Sequence, residues 1–232
     1  MRIRRFREVH QRNPGPGYEH PPRGDPPNDG PGEDRVCLLR IQILDSSLEQ
    51  VRGDVLLLFH LQDHLLPRGL LGRVDWLLNG QISKLLHRQK FSGLPGEILL
   101  LYTSGKFLVE KALVVGLGWK KDLDEEALFR AYRKALVACS RMKARELVLT
   151  VPEEGFPLLT AGNGGETLSA ILAQALQLIP QLPGLEVKFY EPDRERRKRL
   201  EAYLQLARSM MLPKCDFAIE MACQQEDPAC GS

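Results

Sequence analysis

Apolar residues recur along this chain with two different periods, and the two alternate. Val36-Cys-Leu-Leu-Arg-Ile-Gln-Ile-Leu44, Asp54-Val-Leu-Leu-Leu-Phe59, Glu97 to Tyr102, Lys111 to Leu117, Glu146 to Val151 and Leu185 to Tyr190 are short apolar runs bounded by polar turns, the pattern of buried strands. Between them the spacing lengthens to three and four residues. Leu70, Leu71, Val74, Leu77, Leu78, Ile82, Leu85 and Leu86 put one stripe on a helix between Gly69 and Arg88. Asp122 followed by Glu125 reads as a capping box, opening a helix that buries Leu128, Ala131, Tyr132, Ala135, Leu136, Cys139 and Met142. A third helix buries Leu168, Ile171, Leu172, Ala175, Leu176 and Ile179 and stops at Pro180 and Pro183. A fourth starts at Pro192 and Asp193 and buries Leu200, Tyr203, Leu204, Ala207 and Met211.

The turn residues Thr103-Ser-Gly-Lys106 join two strands as an antiparallel hairpin, whereas the later strand–helix–strand crossovers favour parallel pairing. The pattern therefore predicts an α/β fold: one three-layer α/β/α domain over residues 36–212 with a mixed sheet. Residues 1–35 hold seven prolines and five glycines. They bury too little apolar area to offset ordering entropy, so a disordered arm is expected there. Residues 213–232 show no sustained period and are expected to form a flexible tail.

Composition narrows the function classes. The chain has 232 residues, 43% hydrophobic and 27% charged, enough for a sizeable core. A net charge of +2 gives no ground for a nucleic-acid or anionic-membrane partner. The basic run Arg194-Glu-Arg-Arg-Lys-Arg199 is flanked by Glu191, Asp193, Glu195 and Glu201, which can pair with it at helical spacing, so it reads as a solvated face. No apolar run approaches the roughly 18–20 residues of a bilayer span, and Met1 to Arg12 has no apolar signal region behind its arginines. No membrane partner and a cytoplasmic location are expected. Five cysteines, an odd number, suit reduced thiols better than a disulfide framework.

Three segments form an ordered set: Gly72-Arg-Val-Asp-Trp-Leu-Leu-Asn-Gly-Gln-Ile-Ser-Lys-Leu-Leu-His87, Phe91-Ser-Gly-Leu-Pro-Gly-Glu-Ile-Leu-Leu-Leu101 and Lys111-Ala-Leu-Val-Val-Gly-Leu-Gly118. The set resembles the N-terminal, non-catalytic domain of the leucyl (cytosol) aminopeptidases, over about Val51 to Met142. That resemblance implies a macro-domain-like fold and a part in subunit assembly. In that family the two metal ions and the catalytic lysine and arginine belong to the C-terminal domain, on motifs resembling Asn-Thr-Asp-Ala-Glu-Gly-Arg. The sequence has no match to them and ends where that domain is expected to begin. No catalytic residue, metal or cofactor is carried over, and the expectation leans away from an enzyme.

The residues agree. A two-metal hydrolase needs several carboxylates or histidines converging on each ion. His60 and His64 have i,i+4 spacing with Asp63 between them, but they stand where a strand runs into a proline-containing loop, without the glutamate of a zincin helix. They read as a strand-end and a loop histidine. Cys37 and Cys139 read as core residues.

One segment has the chemistry to hold a ligand. Leu159-Thr-Ala-Gly-Asn-Gly-Gly-Glu-Thr167 follows a predicted strand and opens a predicted helix, where backbone N–H groups and the helix dipole favour a phosphate. Macro domains use a similar glycine-rich loop for the diphosphate of ADP-ribose. Thr160, Gly162, Asn163, Gly164 and Gly165 are the candidate ligand-binding residues. Against them stand the absence of a Walker lysine and the carboxylate of Glu166, and a helix-capping turn is the competing reading. The leading expectation is a non-catalytic domain acting in assembly, as a homo-oligomer or with a partner protein. The alternative is a macro-domain-like binder of ADP-ribose or another phosphate-bearing nucleotide, and a metal-dependent aminopeptidase ranks third.

Overall fold

Alternate residues of β2 (Gly53–Leu61) are apolar on both sides, because this strand lies inside a sheet covered on both faces. The computed structural model describes residues 37–152, 164–179, 185–211 and 215–222. The other strands are β1 (Cys37–Leu44), β3 (Ile98–Tyr102), β4 (Val109–Gly118), β5 (Glu146–Leu149), β6 (Glu186–Tyr190) and β7 (Cys215–Ala222), in the order β3-β4-β2-β5-β6-β1-β7. The β3–β4 hairpin is antiparallel and every other pair is parallel. The mixed sheet follows the expected division between hairpin and crossovers.

Helices α1 (Gly69–Leu77) and α2 (Gln81–His87) cover one face through Leu71, Val74 and Ile82, which pack on Leu56, Leu58 and Val114. Helices α3 (Glu125–Arg141), α4 (Gly164–Leu176) and α5 (Arg194–Met211) cover the other, over Ile43, Leu57, Leu113, Leu147 and Phe189. Cys139 lies in that second core, where burial pushes its thiol up to about 12. It is a packing residue, with the thiolate suppressed.

Three local expectations are corrected. The single helix over 69–88 is two helices, separated by Asn79 and Gly80 with φ of 57° and 71°. Its apolar stripe runs across the break, so periodicity alone does not reveal it. The cap of α3 is Asp124, whose Oδ1 accepts from the Ala127 amide at 2.6 Å, while Asp122 lies in a preceding single turn of 3₁₀ helix. Within the flexible tail expected at 213–232, residues 215–222 form a strand parallel to β1 from Cys37↔Cys215 to Leu44↔Ala222, and residues 213–214 and 223–232 lie outside the described residues. Phe217, Ile219 and Met221 alternate there with Asp216 and Glu220, a period of two over one edge strand. The arm at 1–35 lies outside the described residues.

Candidate functional site

At the carboxyl end of β4 two glycines let another piece of backbone lie directly on the strand. A Cβ on Gly116 would stand 2.5 Å from the Gly93 carbonyl carbon and closer still to the Leu94 oxygen, and one on Gly118, at φ +79°, would stand 2.7 Å from Pro95 Cγ. The turn at 91–97 occupies that space. Gly96 N–H donates to the Gly116 carbonyl and Gly116 N–H to the Glu97 carbonyl, both at 2.8 Å. The Glu97 carboxylate closes the turn by accepting from the Ser92 amide (2.9 Å), the Ser92 hydroxyl (2.9 Å) and the Leu94 amide (3.2 Å). Burial works against ionisation of Glu97, but these bonds and the Gly93 amide outweigh it and hold the carboxyl below its ordinary value.

The Phe-Ser-Gly-Leu-Pro-Gly-Glu turn and the Val-Val-Gly-Leu-Gly strand end are thus two halves of one contact. The Asp75-to-Ser83 segment is similar in kind. Buried Asp75 accepts from the Ile82 amide at 2.7 Å and from the Ser83 amide and hydroxyl at 3.2 and 2.5 Å, capping α2 from the preceding helix.

His60 is buried beside Phe91, with ring centroids 5.7 Å apart, and its Nε2 has no hydrogen-bond partner among the described residues. Burial first, and then the charge of His64, push this imidazole down to about 4, against the opposing pull of Asp63 and Glu97. Because folding lowers the pKa, the stability that depends on neutral His60 is complete above its unfolded value near 6.5 and is lost as the pH falls toward 4. Unfolding free energy should drop by on the order of 3 kcal/mol across that window. His60→Leu, which cannot take up a proton, should flatten the profile between pH 6.5 and 4; parallel profiles for the two proteins would contradict this account.

Between β2 and β5 the chain leaves the sheet in opposite directions, β2 to α1 on one face and β5 toward α4 on the other. This is the topological switch point, where open α/β sheets place ligands. A crevice opens there, lined by Leu58, Leu61, His64, Arg68, Thr150 and Pro152, with a cavity volume of about 60 Å³. Arg68 stands at the start of α1 in an extended conformation, and its side chain makes no capping hydrogen bond to that helix among the described residues.

Of the candidate ligand residues, Thr160, Gly162 and Asn163 lie outside the described residues, and Gly164 and Gly165 open α4. Gly165 has a packing reason for its identity: a Cβ there would stand 2.9 Å from Tyr203 Cε1 of α5. Exposed Glu166 lies in the same first turn, and Thr167 donates its hydroxyl to Glu125 at 3.0 Å, so carboxylates surround this helix start. His64 is close enough to His60 to act on its charge, but no group of three or more His, Cys, Asp or Glu side chains that could hold a metal converges among the described residues. In the basic run of α5, Arg196 pairs with Glu191 (3.1 Å) and Lys198 with Glu195 (3.0 Å), two of the expected flanking carboxylates, whereas Arg197 pairs with the sequence-distant Asp45 (3.4 Å). No helix among the described residues is long and apolar enough to cross a membrane.

Sequence periodicity gives no sign of what stands exposed beside the crevice. Leu65, Leu66, Leu94 and Trp119 are 89%, 62%, 51% and 47% exposed. They sit on three loops tied together by main-chain bonds, Gln62 N–H to Gly118 O (2.8 Å) and Gly118 N–H to Gly93 O (2.8 Å), and by the Asp63 carboxylate, which accepts from Lys120 N–H at 3.1 Å. The only sequence signal is the Leu65-Leu66 doublet, apolar yet outside any periodic run.

Comparison with known proteins bears on the fold and the family. The family model described as the N-terminal domain of the cytosol aminopeptidase family matches residues 55–175. A probable cytosol aminopeptidase of Alkaliphilus oremlandii is 25% identical over 112 residues, which are 48% of this chain and 22% of that protein, so the match spans about a fifth of the relative's length. A tomato leucine aminopeptidase mutant superposes with a TM-score of 0.52 at 16% identity, over 78% of this chain and 38% of the other. A mutant macrodomain of Oceanobacillus iheyensis with ADPR gives a TM-score of 0.53 at 17% identity, over 71% and 90%. At those identities the structural likenesses establish a macrodomain-like α/β fold and nothing finer. The matched residues include those that build the turn on β4 and the cap of α2, and the chain belongs to the cytosol aminopeptidase family, through that family's N-terminal domain.

Proposed function

We propose that this domain is a non-catalytic association module, cytoplasmic, which docks another protein surface through the carboxyl-end loops. The observation that supports this reading is the group of exposed apolar side chains Leu65, Leu66, Leu94 and Trp119 on loops fixed to one another by hydrogen bonds. Apolar side chains on a rigid platform lose little conformational entropy on docking, and contiguous exposed apolar patches mark interaction sites.

A second reading, a binder of ADP-ribose or another phosphate-bearing nucleotide, draws on the crevice at the switch point with Arg68 and His64 in its wall. The small size of the crevice among the described residues supports the first reading over the second. About 60 Å³ is small against the roughly 300–1,000 Å³ of small-molecule sites.

Sedimentation velocity and affinity capture from native lysate test the proposal on the full chain. Assembly, as a higher-mass species or a recovered partner, is expected for the native protein. It should be lost when Leu65→Ser, Leu66→Ser and Trp119→Ser are combined. A strictly monomeric protein that recovers no partner counts against the reading. Titration calorimetry with ADP-ribose is expected to be silent, and heat accompanied by a thermal shift transfers the assignment to the second reading.

A further inference from the structure

The sheet has two outer edges, and they differ in chemistry. β7 carries Glu220, ion-paired with Arg40 across the edge at 3.1 Å. β3 reads Ile-Leu-Leu-Leu-Tyr, with no charge, proline or bulge within it, the features by which edge strands usually resist further pairing.

The register fixes which of its main-chain groups face outward. Gly116 N–H donates to the Glu97 carbonyl and Thr103 N–H to the Glu110 carbonyl at 3.0 Å, and the same register runs from Ile98↔Val115 to Tyr102↔Lys111. Residues 97, 99, 101 and 103 therefore bond to β4, and the N–H and C=O groups of Ile98, Leu100 and Tyr102 point away from it. Leu100 is opposite Leu113, so its side chain and that of Tyr102 lie on the α3 face of the sheet, 37% and 66% exposed.

That face is bordered by positive charge. Lys134 of α3 reaches the position of Gly96, just before β3. Arg130 and Arg141 stand four residues before and seven after it, which puts all three on one stripe of the helix. Arg130 is held by Glu126 at 2.9 Å, whereas Lys134 and Arg141 have no ion pair among the described residues. Lys111, paired with Glu110 at 2.9 Å, adds a further cation 5.8 Å from the Tyr102 ring.

We propose that β3 and α3 form a docking groove for an extended acidic segment of a partner protein, which adds to the sheet as an antiparallel strand beside β3. This rests on the association reading but uses a different surface and names the class of partner. Main-chain bonds to Ile98, Leu100 and Tyr102 supply affinity. Aliphatic side chains of the incoming strand cover Leu100 and Tyr102, and carboxylates on the same side reach Lys134 and Arg141. A second copy of this chain is the poorer occupant, because two-fold pairing of β3 would bring two cationic α3 stripes together.

The test is fluorescence anisotropy of the full chain with a labelled peptide of alternating glutamate and valine, about nine residues long so as to overlap the strand and its flanks. Binding is expected, weakening with added salt. A lysine–valine peptide and a glutamate–valine peptide N-methylated at alternate residues should each bind at least about tenfold more weakly. Lys134→Glu with Arg141→Glu should cost a similar factor. Leu100→Pro removes an outward donor without touching the ladder to β4, and should do the same with the far-ultraviolet circular dichroism unchanged. If that variant does not fold, the N-methylated peptide carries the same test. Combined Leu65→Ser, Leu66→Ser and Trp119→Ser should leave peptide binding intact, which separates this groove from the carboxyl-end surface. No binding at millimolar peptide, equal binding of the lysine or N-methylated peptide, tighter binding of an oligothymidylate, or a dimer abolished by Leu100→Pro would each overturn the proposal.

Discussion

Gly116→Ala is expected to remove about 3–5 kcal/mol of unfolding free energy, measured by urea denaturation, and to be the most damaging single-methyl change in the domain. The added Cβ meets only main chain, the Gly93 carbonyl at 2.5 and 2.7 Å and the Leu94 oxygen closer still, and main chain cannot rotate out of the way. The turn at 91–97 must lift off β4. With it go the two bonds between Gly116 and residues 96 and 97, the three bonds to the Glu97 carboxylate, and the burial of Phe91 against His60. Gly80→Ala is the matched control. Gly80 has φ +71° but nothing within 4 Å of a Cβ, so only backbone strain of roughly 1–2 kcal/mol applies. Equal losses for the two variants would show that conformation, and not the contact with the turn, sets the requirement for glycine at 116.

Asp75→Ala is expected to cost about 3 kcal/mol and to unlock α2 in particular. The buried carboxylate accepts three bonds, and its removal leaves the Ile82 amide, in the core beneath α2, without an acceptor. An unsatisfied buried donor costs roughly 1–3 kcal/mol, and charge-assisted bonds are about twice as strong as neutral ones. Asp75→Asn keeps one acceptor oxygen and should fall between. Amide hydrogen exchange at Ile82 and Ser83 reads the effect locally: protection should collapse there in the alanine variant well before it does in β2. A loss under about 1 kcal/mol with Ile82 still protected would mean that α2 is held by its apolar face alone.

These two residues also show how much of the molecule was legible in its sequence. The motifs containing Asp75 and Gly116 were sufficient to point to the family, yet nothing in their spacing said why an aspartate or a glycine was required. Asp75 lies within the periodic stretch of a helix, and only the break at Asn79 and Gly80 turns it into a cap for the next helix. Gly165 teaches the converse. In the sequence it belongs to a glycine-rich run suited to a phosphate, whereas in the fold it is the point where α4 meets the Tyr203 ring of α5. The edge strand β7 was within reach, since Phe217, Ile219 and Met221 alternate with Asp216 and Glu220, but one strand's partial alternation is a weak signal.

Hydrophobic period and turn chemistry, which are properties of neighbouring residues, were enough for the alternation of strands and helices and for the hairpin within an otherwise parallel sheet, and the resemblance of three motif segments was enough for the family. The placing of the exposed apolar loops, the crevice and the cationic border belongs to the tertiary fold. The loops carrying Leu65, Leu94 and Trp119 are brought together by the bonds of Gly118 to Gly93 and of Lys120 to Asp63. The crevice at β2 and β5 exists because α1 and α4 cover opposite faces of the sheet. The cationic border of β3 comes from a helix that begins more than twenty residues after the strand ends. Each of these depends on which distant segments the core draws into contact, and a period of two or of 3.6 residues carries no information about that.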